Sequence, residues 1–234
     1  MLKDIFYPTP QNAFIWLSSI YLLFLLYIGK ANPITILFAY FLETIIIGIF
    51  NALKMFWSIH FGKSKGYTLI FFFLFHYGFF IAIQSIFGFS MFSMEKTVYI
   101  KEPFHLLENY TTILNLEGIK YALPAIIFTH LGKFVSDFIQ NKKYLKFTAQ
   151  EIMFKPYVRI FIQQFVVILS FFFIVFAQVG IIAAILLILF RLLVDLVLES
   201  IRENSEILEF LSEKLANEKA SKENIKKQLT IFTE

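Results

Sequence analysis

The chain contains no cysteine among its 234 residues. That excludes disulfides, thiolate zinc sites, cysteine-ligated iron–sulfur clusters and catalytic thiols, and it leaves the redox compartment unreadable from this residue type. Six prolines and nine glycines are too few for a linker-rich or collagen-like chain. Charge is scarce as well: 16% of residues are Asp, Glu, Lys or Arg, against roughly 25% in an average soluble domain. No HExxH, paired CxxC or Walker loop occurs, which removes the zincin protease and the P-loop nucleotide enzyme. What the chain does contain is apolar bulk. Hydrophobic residues make up 58% and aromatic residues 19%, with 32 phenylalanines and a mean hydropathy of +0.70. This is the composition of a membrane domain.

A bilayer core of about 30 Å takes roughly 20 apolar residues per helical crossing. Six runs of that kind occur, at approximately Ala13 to Gly29, Pro33 to Trp57, Thr68 to Met91, Lys120 to Ile139, Tyr157 to Gln178 and Ile181 to Ile201. They are continuous and not alternating, which excludes barrel strands. The first is expected to be a retained helix, because Lys30-Ala31-Asn32-Pro33 leads straight into another span with no small-residue cleavage site. The expected fold is all-α: an integral membrane bundle of about six transmembrane helices over residues 1–201, followed by a cytoplasmic amphipathic C-terminal helix within residues 202–234.

Lys and Arg near the helix ends give the orientation. With the N-terminus inside, one side holds Lys3, Lys54, Lys63, Lys65, Lys142, Lys143, Lys146, Lys155, Arg159, Arg202, Lys214, Lys219, Lys222, Lys226 and Lys227. The other holds Lys30, Lys96, Lys101 and Lys120. Fifteen against four predicts a cell-membrane protein with both termini cytoplasmic. The net charge of +4 then reports topology and attraction to anionic lipid, with no nucleic-acid partner. Between Phe92 and Gly118, Pro103-Phe104-His105-Leu106-Leu107 predicts a short helix on the membrane surface, and Asn109-Tyr110-Thr111 has the glycosylation spacing, a pattern frequent by chance. In the tail, Ile207, Leu208, Leu211 and Leu215 fall at helical spacing among Glu and Lys. Such a helix could dock on the domain, lie on the membrane, pair with a second copy or receive a partner protein.

Ionisable side chains inside a span are costly, so they face the protein interior and are the default functional candidates. Counted at 1.5 Å per residue from the cytoplasmic end of each run, Asn51, Lys133 and Asp195 lie about 9 Å deep, Gln164 about 10 Å, His76 and His130 about 12 to 13 Å, Arg191 about 15 Å and Glu43 about 21 Å. Arg191, Asp195 and Glu199 recur at i, i+4, i+8; His130, Lys133 and Asp137 at i, i+3, i+7; Glu43, Asn51 and Lys54 at i, i+8, i+11. Three such stripes facing one another make a polar core in which charges nearly balance, as mutual pairing requires. The bland alternative is helix–helix glue, since polar side chains also fix which membrane helices are neighbours. Tyr40, Tyr77 and the Phe-rich faces are expected to be lipid contacts or packing.

The run Tyr40-Phe41-Leu42-Glu43 with Gly48, Asn51, Lys54 and Met55, then Phe75-His76-Tyr77-Gly78, Thr129-His130, Pro156-Tyr157-Val158-Arg159-Ile160, and Arg191 with Asp195, resembles a prokaryotic polytopic membrane family catalogued as domain of unknown function 6498. The resemblance runs in order from about Tyr40 to Glu199. It implies a bundle of about six helices with these polar positions facing inward, and no established activity. The family pattern carries further histidines where this chain has Gln84, Gln164 and Glu199, a Lys where it has Arg191, and a Ser and an Asn near Lys133 and Asp137. A histidine-rich core suggests metal or haem, but glutamine is a poor ligand, which leaves His76, His130, Asp195 and Glu199 as donors here.

Two functions follow as expectations. One is a non-enzymatic membrane protein, a small transporter or assembly subunit built around the paired charges of Glu43, Lys133, Arg191 and Asp195. Against transport, no repeat relates the two halves, and Pro124 stands alone within its helix. The other is a membrane-embedded protein or enzyme holding a divalent metal on His76, His130 and Asp195, or a haem between the two histidines.

Overall fold

The computed structural model describes residues 5–10, 12–94, 100, 102–175, 180–201, 205–217 and 220–233, and every regular element among them is helical. In chain order these are α1 (Ala13–Tyr27), α2 (Pro33–His60), α3 (Thr68–Met94), α4 (Leu106–Leu114) and α5 (Glu117–Lys133), which runs on as a π-helical segment, Phe134–Ile139. The short α6 (Lys143–Lys146), α7 (Ala149–Val175), α8 (Gly180–Ser200), α9 (Glu206–Leu215) and α10 (Lys222–Thr233) follow. Lys3, Lys96, Lys101, Lys219, Arg202, Gln178 and the side chain of Arg159, all used in the sequence reading, lie outside the described residues or side chains.

α2 begins where Asn32 caps it. Asn32 Oδ1 accepts the Thr35 N–H at 2.7 Å, and Pro33, with its φ already helical, occupies the first turn where a missing N–H costs nothing. From Thr35 to Thr44 every α2 side chain is buried, as expected of a helix apolar on all sides. It is the axle of the molecule. α3, α5, α7 and α8 pack directly on it, and α1 closes the ring by bridging α5 and α8. The ring is open between α3 and α5, where Ile49, Leu53 and Phe56 of α2 are exposed. The tyrosines of this core are not lipid contacts: Tyr40 and Tyr77 are both 2% exposed, and the Tyr77 hydroxyl donates to the Thr44 carbonyl.

Among the described residues, four helices are long and apolar enough to cross a membrane: Pro33–His60, Thr68–Ser93, Glu117–Ile139 and Gly180–Ser200. The outward face of α3 carries Phe71, Phe75, Phe79 and Ile83 at successive turns, each at least half exposed. A water-soluble monomer rarely shows so large an apolar surface. The first of the six expected runs falls short by this measure. α1 is apolar, but its 15 residues extend only about 22 Å. α7, 27 residues from Ala149 to Val175, is long enough to cross, and it starts two turns before the expected Tyr157.

The early start of α7 places Pro156 inside the helix. Proline has no N–H to offer the carbonyl four residues back, which is Ile152. Asn51 supplies the missing donor: its Nδ2 donates to the Ile152 carbonyl at 3.1 Å from the neighbouring α2. Asn51→Leu is therefore expected to destabilise the fold by about 1–3 kcal/mol, the cost of a stranded buried carbonyl. Adding Pro156→Ala, which restores the helical donor, should recover most of that loss in thermal unfolding of the detergent-solubilised protein. A double variant no more stable than Asn51→Leu alone would show that the carbonyl is not the cause.

On α4, the short helix expected at the surface, Asn109 is buried, and its Nδ2 donates to the Glu102 carbonyl, so the glycosylation spacing there marks a structural asparagine. The tail differs from the single amphipathic helix expected. α9 and α10 form a hairpin, closed by the paired backbones of Asn217 and Ala220. Ile207, Leu208 and Leu229 join Ile5, Val197 and Ile201 in one apolar cluster, which puts the two ends of the chain at the same end of the bundle. Lys226 and Lys222 donate to Glu209 and hold its carboxyl below the usual carboxylate range, and Lys227 reaches Glu151 of α7 at 3.4 Å. Leu215 is left half exposed.

Candidate functional site

Glu43 stands at the centre of an ion cluster formed by three helices. It projects from the fully buried stretch of α2, one turn after Tyr40. From α8, Arg191 Nη2 donates to Glu43 Oε1, and from α5, His130 Nε2 donates to the same oxygen at 2.8 Å. Arg191 has a second carboxylate within reach, since its Nε lies 3.6 Å from Asp195 Oδ2 one turn along the same helix. Its guanidinium carbon also sits 5.1 Å above the Tyr40 ring. The Glu43 side chain is 3% exposed and those of His130, Arg191 and Asp195 are 10–12% exposed. Two carboxylates, one permanent cation and one titratable imidazole are thus held together in a setting that favours fixed pairing over solvation.

Outward from this centre the stripes on α5 and α8 meet again. Lys133 donates to Glu199 at 3.3 Å, and Asp137, on the π-helical segment, pairs with Lys143 at 2.8 Å. The α2 stripe divides: Glu43 faces α5 and α8, while Asn51 turns to α7. Depth counted along separate runs misplaces several of these groups. Glu43, His130 and Arg191 come out at different levels on that count, yet they touch, because the helix ends do not lie in one plane. Gln164 shifts the most. Tyr157 packs beside Tyr77, so Gln164, seven residues further along α7, lies level with Gln84, seven residues further along α3.

His76 does not join the cluster. Its Nδ1 shares a 2.7 Å hydrogen bond with the Tyr157 hydroxyl, inside a nest of rings from Phe72, Phe80 and Tyr157. The proposed metal trio of His76, His130 and Asp195 is therefore not assembled, and no group of three His, Asp or Glu side chains suited to a metal occurs among the described residues. His60 stacks on Phe56, and His105 pairs with Glu108 at the surface. Tyr40 was legible only as packing; its position three residues before Glu43 is the signal that it shares the face of the cluster.

The loop Gly62-Lys63-Ser64-Lys65-Gly66 spells the serine-hydrolase pattern G-x-S-x-G. Its setting is wrong for a nucleophile, which needs a strained strand-to-helix turn. Here the loop joins two helices, and Ser64 Oγ accepts the Ala149 N–H at 2.8 Å while lying 3.2 Å from Ser58 Oγ. It fastens two turns together.

No curated protein and no solved structure matches the chain. One family does, described as a family of unknown function, DUF6498, and the match extends over residues 1–223, through the cluster and into the C-terminal hairpin. This chain belongs to that family.

Proposed function

We propose that the chain is a multi-pass protein of the cell membrane, with six crossings and both termini cytoplasmic, and that its ion cluster is the proton-binding site of a small proton-translocating carrier. α1 and α7 complete the six: α1 lies between α5 and α8, and the tail meets Ile5 at the end of the bundle where an even number of crossings returns the chain. The fifteen-to-four bias of basic residues favours that end as the cytoplasmic one.

One observation carries the functional reading. Glu43 Oε1 is shared between a permanent cation, Arg191, and a titratable one, His130, near the middle of the most buried long helix. A proton arriving on Glu43 removes the charge that holds Arg191. The guanidinium then turns to Asp195, already 3.6 Å away on its own helix. Protonation is in this way coupled to whether α8 is tied to α2, and intramembrane carboxylate–base sets are the usual substance of proton relays.

The test is proton uptake by proteoliposomes under an imposed pH gradient, followed with a trapped pH-sensitive dye. Wild-type vesicles should acidify faster than protein-free ones, and Glu43→Gln should fall to the protein-free rate while still eluting as a single folded species. Wild-type uptake at the protein-free rate, or unaltered uptake by Glu43→Gln, would overturn the reading.

A further inference from the structure

α3 and α7 run side by side in the same direction. Their register is fixed by Tyr157, whose ring lies 5.8 Å from that of Tyr77 and 5.7 Å from that of Phe80, and whose hydroxyl bonds His76. Seven residues are two helical turns, so stepping seven along each helix returns to nearly the same face about 10 Å further on. Both steps end on glutamine, Gln84 and Gln164. The third wall is α2: Gly88 meets the Phe41 ring and Gly48 the Tyr77 ring, which brackets Gln84 against the turn containing Thr44.

Like Trp16 Nε1 and Ser18 Oγ of α1, the amide atoms of this seam are buried without a partner, but here they gather on two neighbouring helices. Asn51, Ser85 and Tyr77 all pair within the chain. Gln84 is 5% exposed, and both ends of its amide are buried with no protein partner; Gln164 Oε1 is likewise buried and unpaired. Three unsatisfied amide atoms at one level, on facing helices, are the arrangement that ordered water satisfies, because a buried polar group bonds to solvent when the protein offers nothing. The rings of Tyr77, Phe80 and Tyr157 form the floor beneath them.

We propose that the seam between α3 and α7 at Gln84 and Gln164 is a hydrated polar site, separate from the ion cluster and on another side of α2, whose occupant is water bound to the two amides. It does not depend on proton transport.

The absence of cysteine makes the test direct. Single-cysteine chains Gln84→Cys and Gln164→Cys, reconstituted in nanodiscs, are treated with a small charged methanethiosulfonate, which reacts only where water carries it. Ala39→Cys, in the dry core of α2, sets the slow limit, and Glu108→Cys, on exposed α4, sets the fast one. Both glutamine positions should react at least tenfold faster than Ala39→Cys. Rates equal to Ala39→Cys at both positions, with Glu108→Cys reacting normally, would show a dry seam and overturn the proposal. Because labelling needs no transport, a protein that passes no protons but labels at both positions would sink the carrier reading and leave this site standing.

Discussion

Arg191→Met should destabilise the protein by about 3–5 kcal/mol, the cost of breaking a buried pair from one side. The change takes the permanent cation from Glu43, which is 3% exposed and keeps His130, and leaves Asp195 facing it without the intervening guanidinium. Removing all three charges together is a different matter. A chain carrying Glu43→Leu, Arg191→Met and Asp195→Leu should regain most of the lost stability, because a well-packed apolar set often equals or exceeds a buried ion pair. Thermal unfolding of the single and triple variants in the same detergent decides it. A loss below about 1 kcal/mol in Arg191→Met would place the cluster among weak, solvated pairs and remove the basis for reading Glu43 as a held proton site.

The second large effect concerns close approach of backbone. A Cβ on Gly62 would meet two carbonyl oxygens, those of Ser58 and Tyr144, neither of which can swing aside as a side chain tip can. Gly62→Ala is expected to cost about 3 kcal/mol, the upper end of ordinary overpacking. Gly48→Ala forces its Cβ into the Tyr77 ring, and a ring that is itself hydrogen-bonded to Thr44 yields at a cost of about 1–3 kcal/mol. Gly78 supplies the control within a helix, since nothing lies within 4 Å of a Cβ there. Gly78→Ala should be neutral or stabilising by up to about 1 kcal/mol, the gain in helix propensity. Equal midpoints for Gly62→Ala and Gly78→Ala would mean that the loop at Gly62 moves freely enough to absorb the clash.

Helix content and the polar stripes were legible because each depends on one helix at a time. Arg191, Asp195 and Glu199 share a face whatever surrounds them, and the same holds for His130 and Lys133. Partners were less legible, since they depend on how far one helix slides along another. Glu43 counted from its own span end seemed remote from His130, yet the two are bonded. Gln164 counted from Tyr157 falls short of its real level because α7 starts two turns earlier, at Ala149, with Pro156 inside it and Asn51 covering for the missing donor. The tail was read as one helix because Ile207, Leu208, Leu211 and Leu215 set a clear period. The partner that buries the first two comes from Leu229 and Ile5, and no local pattern announces it. The metal trio failed for a related reason: matched depth brings His76 and His130 to one level, but not to one side of α2.

Chain order gives the ion cluster a consequence during synthesis. Glu43 bonds to residues 87 and 148 positions further along. At about 5–20 residues per second, Arg191 leaves the ribosome about 7–30 s after Glu43 does. For that interval the helix destined for the centre of the molecule exists without the cation that balances it. A lone carboxylate is costly in an apolar setting, and His130, 87 residues on, is the first of its two partners to be made. The last long helix to be made delivers the permanent cation. Assembly of the cluster therefore waits for most of the chain, and a product ending before Arg191 lacks the permanent cation that Glu43 pairs with.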